Sequence, residues 1–222
     1  MNSITHIAFF VFHLSITIAM IYSYKYCFKK YNPPYLRVFP FYLTGSWLAL
    51  IPQWFHFLSK YRFIAQLIFN FFELIIFFVF FGLVLYNRKY LKKIILIPIL
   101  IIAICLADLT FSQSQKNYSL YVLADLLSIT ILTLLYFKQV FAQEPTKDLF
   151  REPSFWISCG CLIYFLGIIP FFIFEFLFSK KILSIPQIYI FELYSINYVL
   201  FTTMTILLIK SFTCRKKVSI LK

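Results

Sequence analysis

What leaves this chain the fewest options is that strongly apolar runs of about 19 to 25 residues, each long enough to cross a bilayer as a helix, follow one another along nearly its whole length. They cover Ile4–Tyr24, Val38–Phe57, Phe63–Tyr86, Leu91–Leu109, Tyr118–Phe137, Ser154–Phe178 and Gln187–Ile209. A transmembrane β-barrel needs alternating segments of about ten residues, and a run such as Ile-Ile-Phe-Phe-Val-Phe-Phe-Gly-Leu-Val-Leu-Tyr at 75–86 does not alternate. Helices are the remaining way to satisfy the backbone in lipid. The expectation is an all-α membrane protein of seven transmembrane helices, forming a single domain over residues 1–222.

Composition agrees, since 62% of the residues are hydrophobic and 13% charged, whereas soluble domains carry about a quarter charged residues. The longest polar interval is Gln143–Pro153, too short for a soluble catalytic domain, so no enzyme activity is expected. The net charge of +13 does not point to nucleic acid, because the Lys and Arg residues sit between the apolar runs rather than in a patch. Counted loop by loop, with Lys92 and Lys93 at the head of the fourth run assigned to the third loop, sixteen of the 21 fall in the odd-numbered loops and the C-terminal tail. By the positive-inside rule this puts the N-terminus outside and the C-terminus in the cytoplasm, with the basic loops against an anionic inner leaflet. The location expected is the inner (plasma) membrane. Met1–Thr5 holds no Lys or Arg ahead of the first apolar run, so that run reads as a retained helix rather than a cleaved signal peptide.

The third run carries the polar residues that matter most. Gln66, Asn70 and Glu73 are spaced i, i+4, i+7 and share one helical face. Glu73 is ten residues past Phe63, roughly 15 Å at helical rise, about the middle of the hydrocarbon layer. An ion there costs several kcal/mol, so Glu73 must be protonated, paired or hydrated, with Asn70, Gln66 or His13 as candidate partners. Asp125 in the fifth run and Glu192 in the seventh lie roughly 10 Å below the outer surface, with Ser128 and Ser195 three residues after each. These eight residues outline a candidate site for a small ligand or a proton: an outward-facing polar cavity walled by runs three, five and seven and closed below by aromatic packing. Asp108, Glu175 and His56, near the outer ends of their runs, read as solvated surface groups.

Runs one to three can be laid over runs five to seven. Lys25 then meets Lys138, Arg37 falls near Arg151, Pro40 meets Pro153, Gly45 meets Gly160 and Pro52 meets Pro170. Phe72-Glu73-Leu74 meets Phe191-Glu192-Leu193. Both triplets begin outside, so the expectation is a parallel pseudo-repeat, three helices plus one connector plus three.

Several chemistries are disfavoured. His6 and His13 are seven apart and cannot bind one zinc ion, and the five cysteines form neither a Cys-x-x-Cys pair nor a His cluster, so neither metal nor cofactor is expected. The last run has Lys210 only at its end, which excludes an ordinary retinal protein. Pro52-Gln53 and Pro186-Gln187 are similar to the motif of PQ-loop and SWEET transporters, but those families carry it in the first helix of each triplet. The sixth run, Glu-Pro-Ser-Phe-Trp-Ile-Ser-Cys-Gly-Cys-Leu-Ile-Tyr-Phe-Leu-Gly at 152–167, and Ser-Ile-Asn-Tyr-Val-Leu at 195–200, resemble small, mostly uncharacterised seven-helix membrane proteins common in Bacteroidota. The resemblance implies a fold and brings no activity with it. Its mechanics are those of packing: Pro153 opens the helix, Trp156 sits near the interface, and Gly160 and Gly167 admit a neighbouring helix.

The functional expectation is a sensor or receptor-like protein that binds a small ligand from outside and passes a helix shift to a cytoplasmic or membrane partner. The alternatives are a small proton-coupled transporter and a structural subunit of a membrane complex.

Overall fold

A computed structural model describes residues 3–30, 32–54, 61–85, 118–142, 149–179 and 187–214, and the elements among them are all helical. Helix α1 is Ser3–Cys27, α2 Phe39–Trp54, α3 Arg62–Val84 and α4 Tyr118–Phe141. Helix α5 has three parts, Pro153–Cys161, a π-helical turn Leu162–Leu166 and Gly167–Ser179, and α6 is Gln187–Thr213. Five stretches are long and apolar enough to cross a membrane: His6–Cys27, Ile64–Val84, Val122–Phe141, Pro153–Glu175 and Tyr194–Thr213. The expected run Leu91–Leu109 lies outside the described residues, as do Asp108 and His56.

Local chemistry sets the helix ends. Pro33 is held extended at φ −57°, ψ 140° ahead of Pro34, so the chain enters α2 through a 3₁₀ turn, Pro34–Val38, rather than running straight on from α1. In α5, where one continuous α-helix was expected, the π turn ends at Leu166. That residue is four before Pro170, whose ring has no N–H for the Leu166 carbonyl and would clash with it in regular α geometry. Widening the preceding turn relieves that conflict.

The helices close into a ring in chain order, each packed on the next and α6 packed back on α1. Contact levels give their directions. Tyr24 hydrogen-bonds Thr44 and Phe28 meets Phe41, so α1 and α2 are antiparallel. Phe39 meets Phe80 and Tyr42 meets Phe69, which sets α3 antiparallel to α2. Gly160 faces Met204 and Leu207 while Phe171 meets Tyr194, so α5 and α6 are antiparallel. Along α1 and α6, Phe9 meets Tyr198, Phe12 meets Phe201 and Ser15 accepts from Thr205 at 2.9 Å, a parallel pair. Tyr136 near the end of α4 meets Phe81 near the end of α3 and Ser154 at the start of α5, so α3 and α4 also run the same way. Every Lys or Arg whose side chain is described (Lys25, Lys29, Lys30, Arg37, Lys138, Arg151 and Lys210) consequently sits toward one end of the ring, the basic end.

Between the middle of the ring and the basic end, the centre is filled with aromatic rings. Phe39, Phe77, Phe80, Phe81, Phe165 and Phe212 are all fully buried. Phe39 touches Phe77, Phe80 and Phe212, and Phe77 touches Phe165 at 5.2 Å between centroids, so α2, α3, α5 and α6 meet in one plug. Edge-to-face pairs of this kind contribute about 0.5–1.5 kcal/mol each beyond burial.

Candidate functional site

The buried face of α3 reads Asn70, Glu73, Phe77 and Phe80 from the middle of the helix toward the basic end, a 3–4 residue stripe turned into the ring. Helix α4 buries Val122, Asp125, Ile129 and Thr133 in the same manner. Because the two helices are parallel and Phe81 is level with Tyr136, their carboxyl-bearing turns come to similar depth. Glu73 is 6% exposed and Asp125 is 1% exposed, and the two carboxyl groups lie within electrostatic reach of one another.

Among the described residues one hydrogen bond holds Glu73. The phenol of Tyr42, on α2 and fully buried, donates to Glu73 Oε1 at 2.8 Å. The partner therefore comes from a neighbouring helix rather than from Asn70, Gln66 or His13, the candidates that sequence spacing offered. The Gln66 side-chain amide instead donates to Asn70 Oδ1 at 2.9 Å, making a polar file along α3 that ends one turn before Glu73. Asp125 Oδ1 is buried and has no hydrogen-bond partner among the described residues. From α5, Cys161 is near enough to Glu73, and Tyr164 near enough to Tyr42, to interact electrostatically. No Lys, Arg or His pairs with either carboxyl group among the described residues, and no group of three metal-ligating side chains occurs there.

The other expected site residues fall in different places. Ser128 is buried on the Asp125 face, but its hydroxyl donates to its own helix at Ala124 O, 2.8 Å. His13 is buried on α1, with Nδ1 2.8 Å from Phe9 O and its ring against Phe9 and Phe12. Ser195 is half-buried on α6. Glu192 is placed on α6 by the backbone, and its side chain lies outside the described set. The groups gathered around Glu73 thus come from α2, α4 and α5. Sequence reasoning missed Tyr42, Cys161 and Tyr164; the signal that could have found Tyr42 is its position beside Gly45, whose missing side chain lets α2 sit against Phe72 and Phe69 of α3.

Below the carboxyl groups a chain of contacts runs to the basic end. Tyr42 packs on Phe77 and Phe39, Phe39 on Phe80, and Phe80 on Tyr35 of the 3₁₀ turn. Tyr35 lies beside Ser154 at the start of α5, and Tyr136 donates to Ser154 Oγ at 3.1 Å. Burial pushes the Tyr35 phenol up to about 12, so it stays neutral throughout the physiological range.

No protein-family model, no curated protein and no solved structure matches this chain.

Proposed function

We propose that this is a seven-helix membrane sensor, in which occupancy of the Tyr42–Glu73–Asp125 centre from the outer side shifts the aromatic plug and is read at the cytoplasmic, basic end. The observation that carries the reading is a pair of buried carboxyl groups with, among the described residues, one donor between them and no cation beside them, mounted directly on a packed aromatic chain that ends at Tyr35 and Ser154. Buried polar groups left unsatisfied are costly and persist at functional positions. Packed aromatic contacts switch between discrete arrangements rather than deforming continuously, which suits a signal more than a pore.

Trp156 offers the readout. Its indole donates to Phe150 O at 2.8 Å and lies under Lys210, so it reports on the junction of α5 and α6 at the basic end. With Trp47 and Trp54 replaced by Phe, Glu73→Gln and Asp125→Asn are expected to change Trp156 emission in reconstituted vesicles. Emission and Cys214 thiol reactivity identical to the parent in both variants would sink the sensor reading.

A second reading, a proton-coupled carrier built on the three-plus-one-plus-three repeat, is favoured by one feature. Gly45 faces α3 while Gly160 faces α6, so each glycine opens the seam between the second and third helix of its own triplet. A carrier would collapse a pH gradient imposed across vesicles loaded with a pH dye; a sensor leaves the gradient standing.

A further inference from the structure

The structure assigns the ligand of this centre: Glu73 and Asp125 form a two-carboxyl site that takes up a single proton, delivered from the outer side along Gln66 and Asn70. This rests on the reading of the centre as the protein's input and names what the input is.

Three observations carry it. Two carboxyl groups, 6% and 1% exposed and within electrostatic reach of one another, cannot both hold a negative charge in a dry interior without a cation, and none pairs with them among the described residues. Among the described residues, the groups next to the pair are Tyr42 of α2 and Cys161 of α5, with Tyr164 of α5 beside Tyr42, none of them basic. Secondly, Tyr42 supplies one donor to Glu73 Oε1, while Asp125 Oδ1 has none among the described residues, so the pair lacks a hydrogen that a bound proton would supply. Thirdly, the neighbouring side chains Tyr42, Phe77, Cys161 and Phe165 are all fully buried, so the pair sits in a dry surrounding that favours its singly protonated form.

The route is polar on one side and apolar on the other. Gln66, half-buried one turn into α3, is bonded to Asn70, and Asn70 is one turn above Glu73. On the opposite side stand Phe77, Phe39, Phe80 and Phe212. A proton arriving from the outer face binds a carboxylate oxygen, converts one –CO₂⁻ to –CO₂H and is shared between the two acids; release to the same face reverses it.

The test uses the full chain in phosphatidylethanolamine–phosphatidylglycerol vesicles, with the proton itself as probe and infrared difference spectra between acidic and alkaline buffer as readout. The expected result is a buried protonated-carboxyl C=O band that Glu73→Gln and Asp125→Asn each abolish or shift, and that Glu175→Gln leaves in place. Tyr42→Phe, which keeps the packing and removes one donor, is expected to move the band and serves if either acid variant fails to fold. Absence of the band, or a band indifferent to Glu73, Asp125 and Tyr42 alike, overturns the proposal. A band that behaves as expected while Trp156 emission stays constant upholds the proton site and removes the sensor reading. Emission that answers to Glu73→Gln with no band present overturns the proton site and keeps the sensor reading.

Discussion

At the scale of single residues, the Tyr42 hydroxyl is the group on which the candidate site depends. Removing it leaves Glu73 Oε1 buried without its donor, and a stranded buried acceptor costs about 1–3 kcal/mol. Tyr42→Phe is therefore expected to lower stability by that amount in a detergent-denaturation series. The loss should shrink when Glu73 is also changed to Leu, which removes the acceptor; equal losses in both backgrounds would mean the hydrogen bond contributes nothing. Glu73, Asn70 and Asp125 were legible in the sequence because a polar side chain within an apolar run of membrane length must turn toward the bundle, and all three do. Tyr42 was not, because among 16 Tyr and 30 Phe a single phenol reads as background, and only tertiary packing distinguishes it from an interfacial anchor such as Tyr24. The partner of a membrane carboxyl group on another helix has no fixed sequence spacing to betray it.

At the scale of elements, hydropathy located helices where five of the seven expected runs stand as candidate spans, while the departures from regular α-helix trace to proline. Pro33 and Pro34 insert a 3₁₀ turn ahead of α2, and Pro170 imposes a π turn on α5, an effect on backbone hydrogen bonding that hydropathy does not register. That turn carries Tyr164 and Phe165 against Phe201 and Phe77, so the α5 irregularity and the aromatic plug are one feature. The role of Gly160 and Gly167 in close helix approach, by contrast, was open to reading in advance. A Cβ on Gly160 would stand 3.4 Å from Leu207 Cβ, Met204 Cγ and the Met204 carbonyl, and one on Gly167 would meet the tips of Leu200 at 3.0 Å. Leucine tips can rotate away; a backbone carbonyl cannot. Gly160→Val is accordingly expected to cost about 1–3 kcal/mol through overpacking, and Gly167→Ala distinctly less. Thermal unfolding in detergent decides the order, and a Gly167→Ala variant weaker than Gly160→Val would place the tighter seam at Leu200.

At the scale of the whole molecule, the described Lys and Arg side chains gather at the end of the ring where α1, α3, α4 and α6 finish and where α2 and α5 begin. The direction of α4 carries the argument furthest. Phe81 of α3 is level with Tyr136 of α4, Glu73 interacts with Asp125, and Tyr136 bonds Ser154 at the start of the returning α5, so α3 and α4 point the same way although they follow one another in the chain. Leu85 and Tyr118 consequently stand at opposite faces of the ring, and the proposed seven-helix reading predicts a crossing between them and opposite sides for the two termini. With the basic end inside, a reporter fused after Lys222 is expected to be active in the cytoplasm and silent in the periplasm. One fused after Met1 should behave the other way. A single-cysteine scan in a cysteine-free background adds the decisive position: thiols placed at Lys29 and Lys138 should be shielded from an impermeant reagent applied outside, while one at Ser112 should react. Labelling at Ser112 from the same side as Lys29 would show that the chain does not cross between α3 and α4, and the seven-helix reading would give way to six.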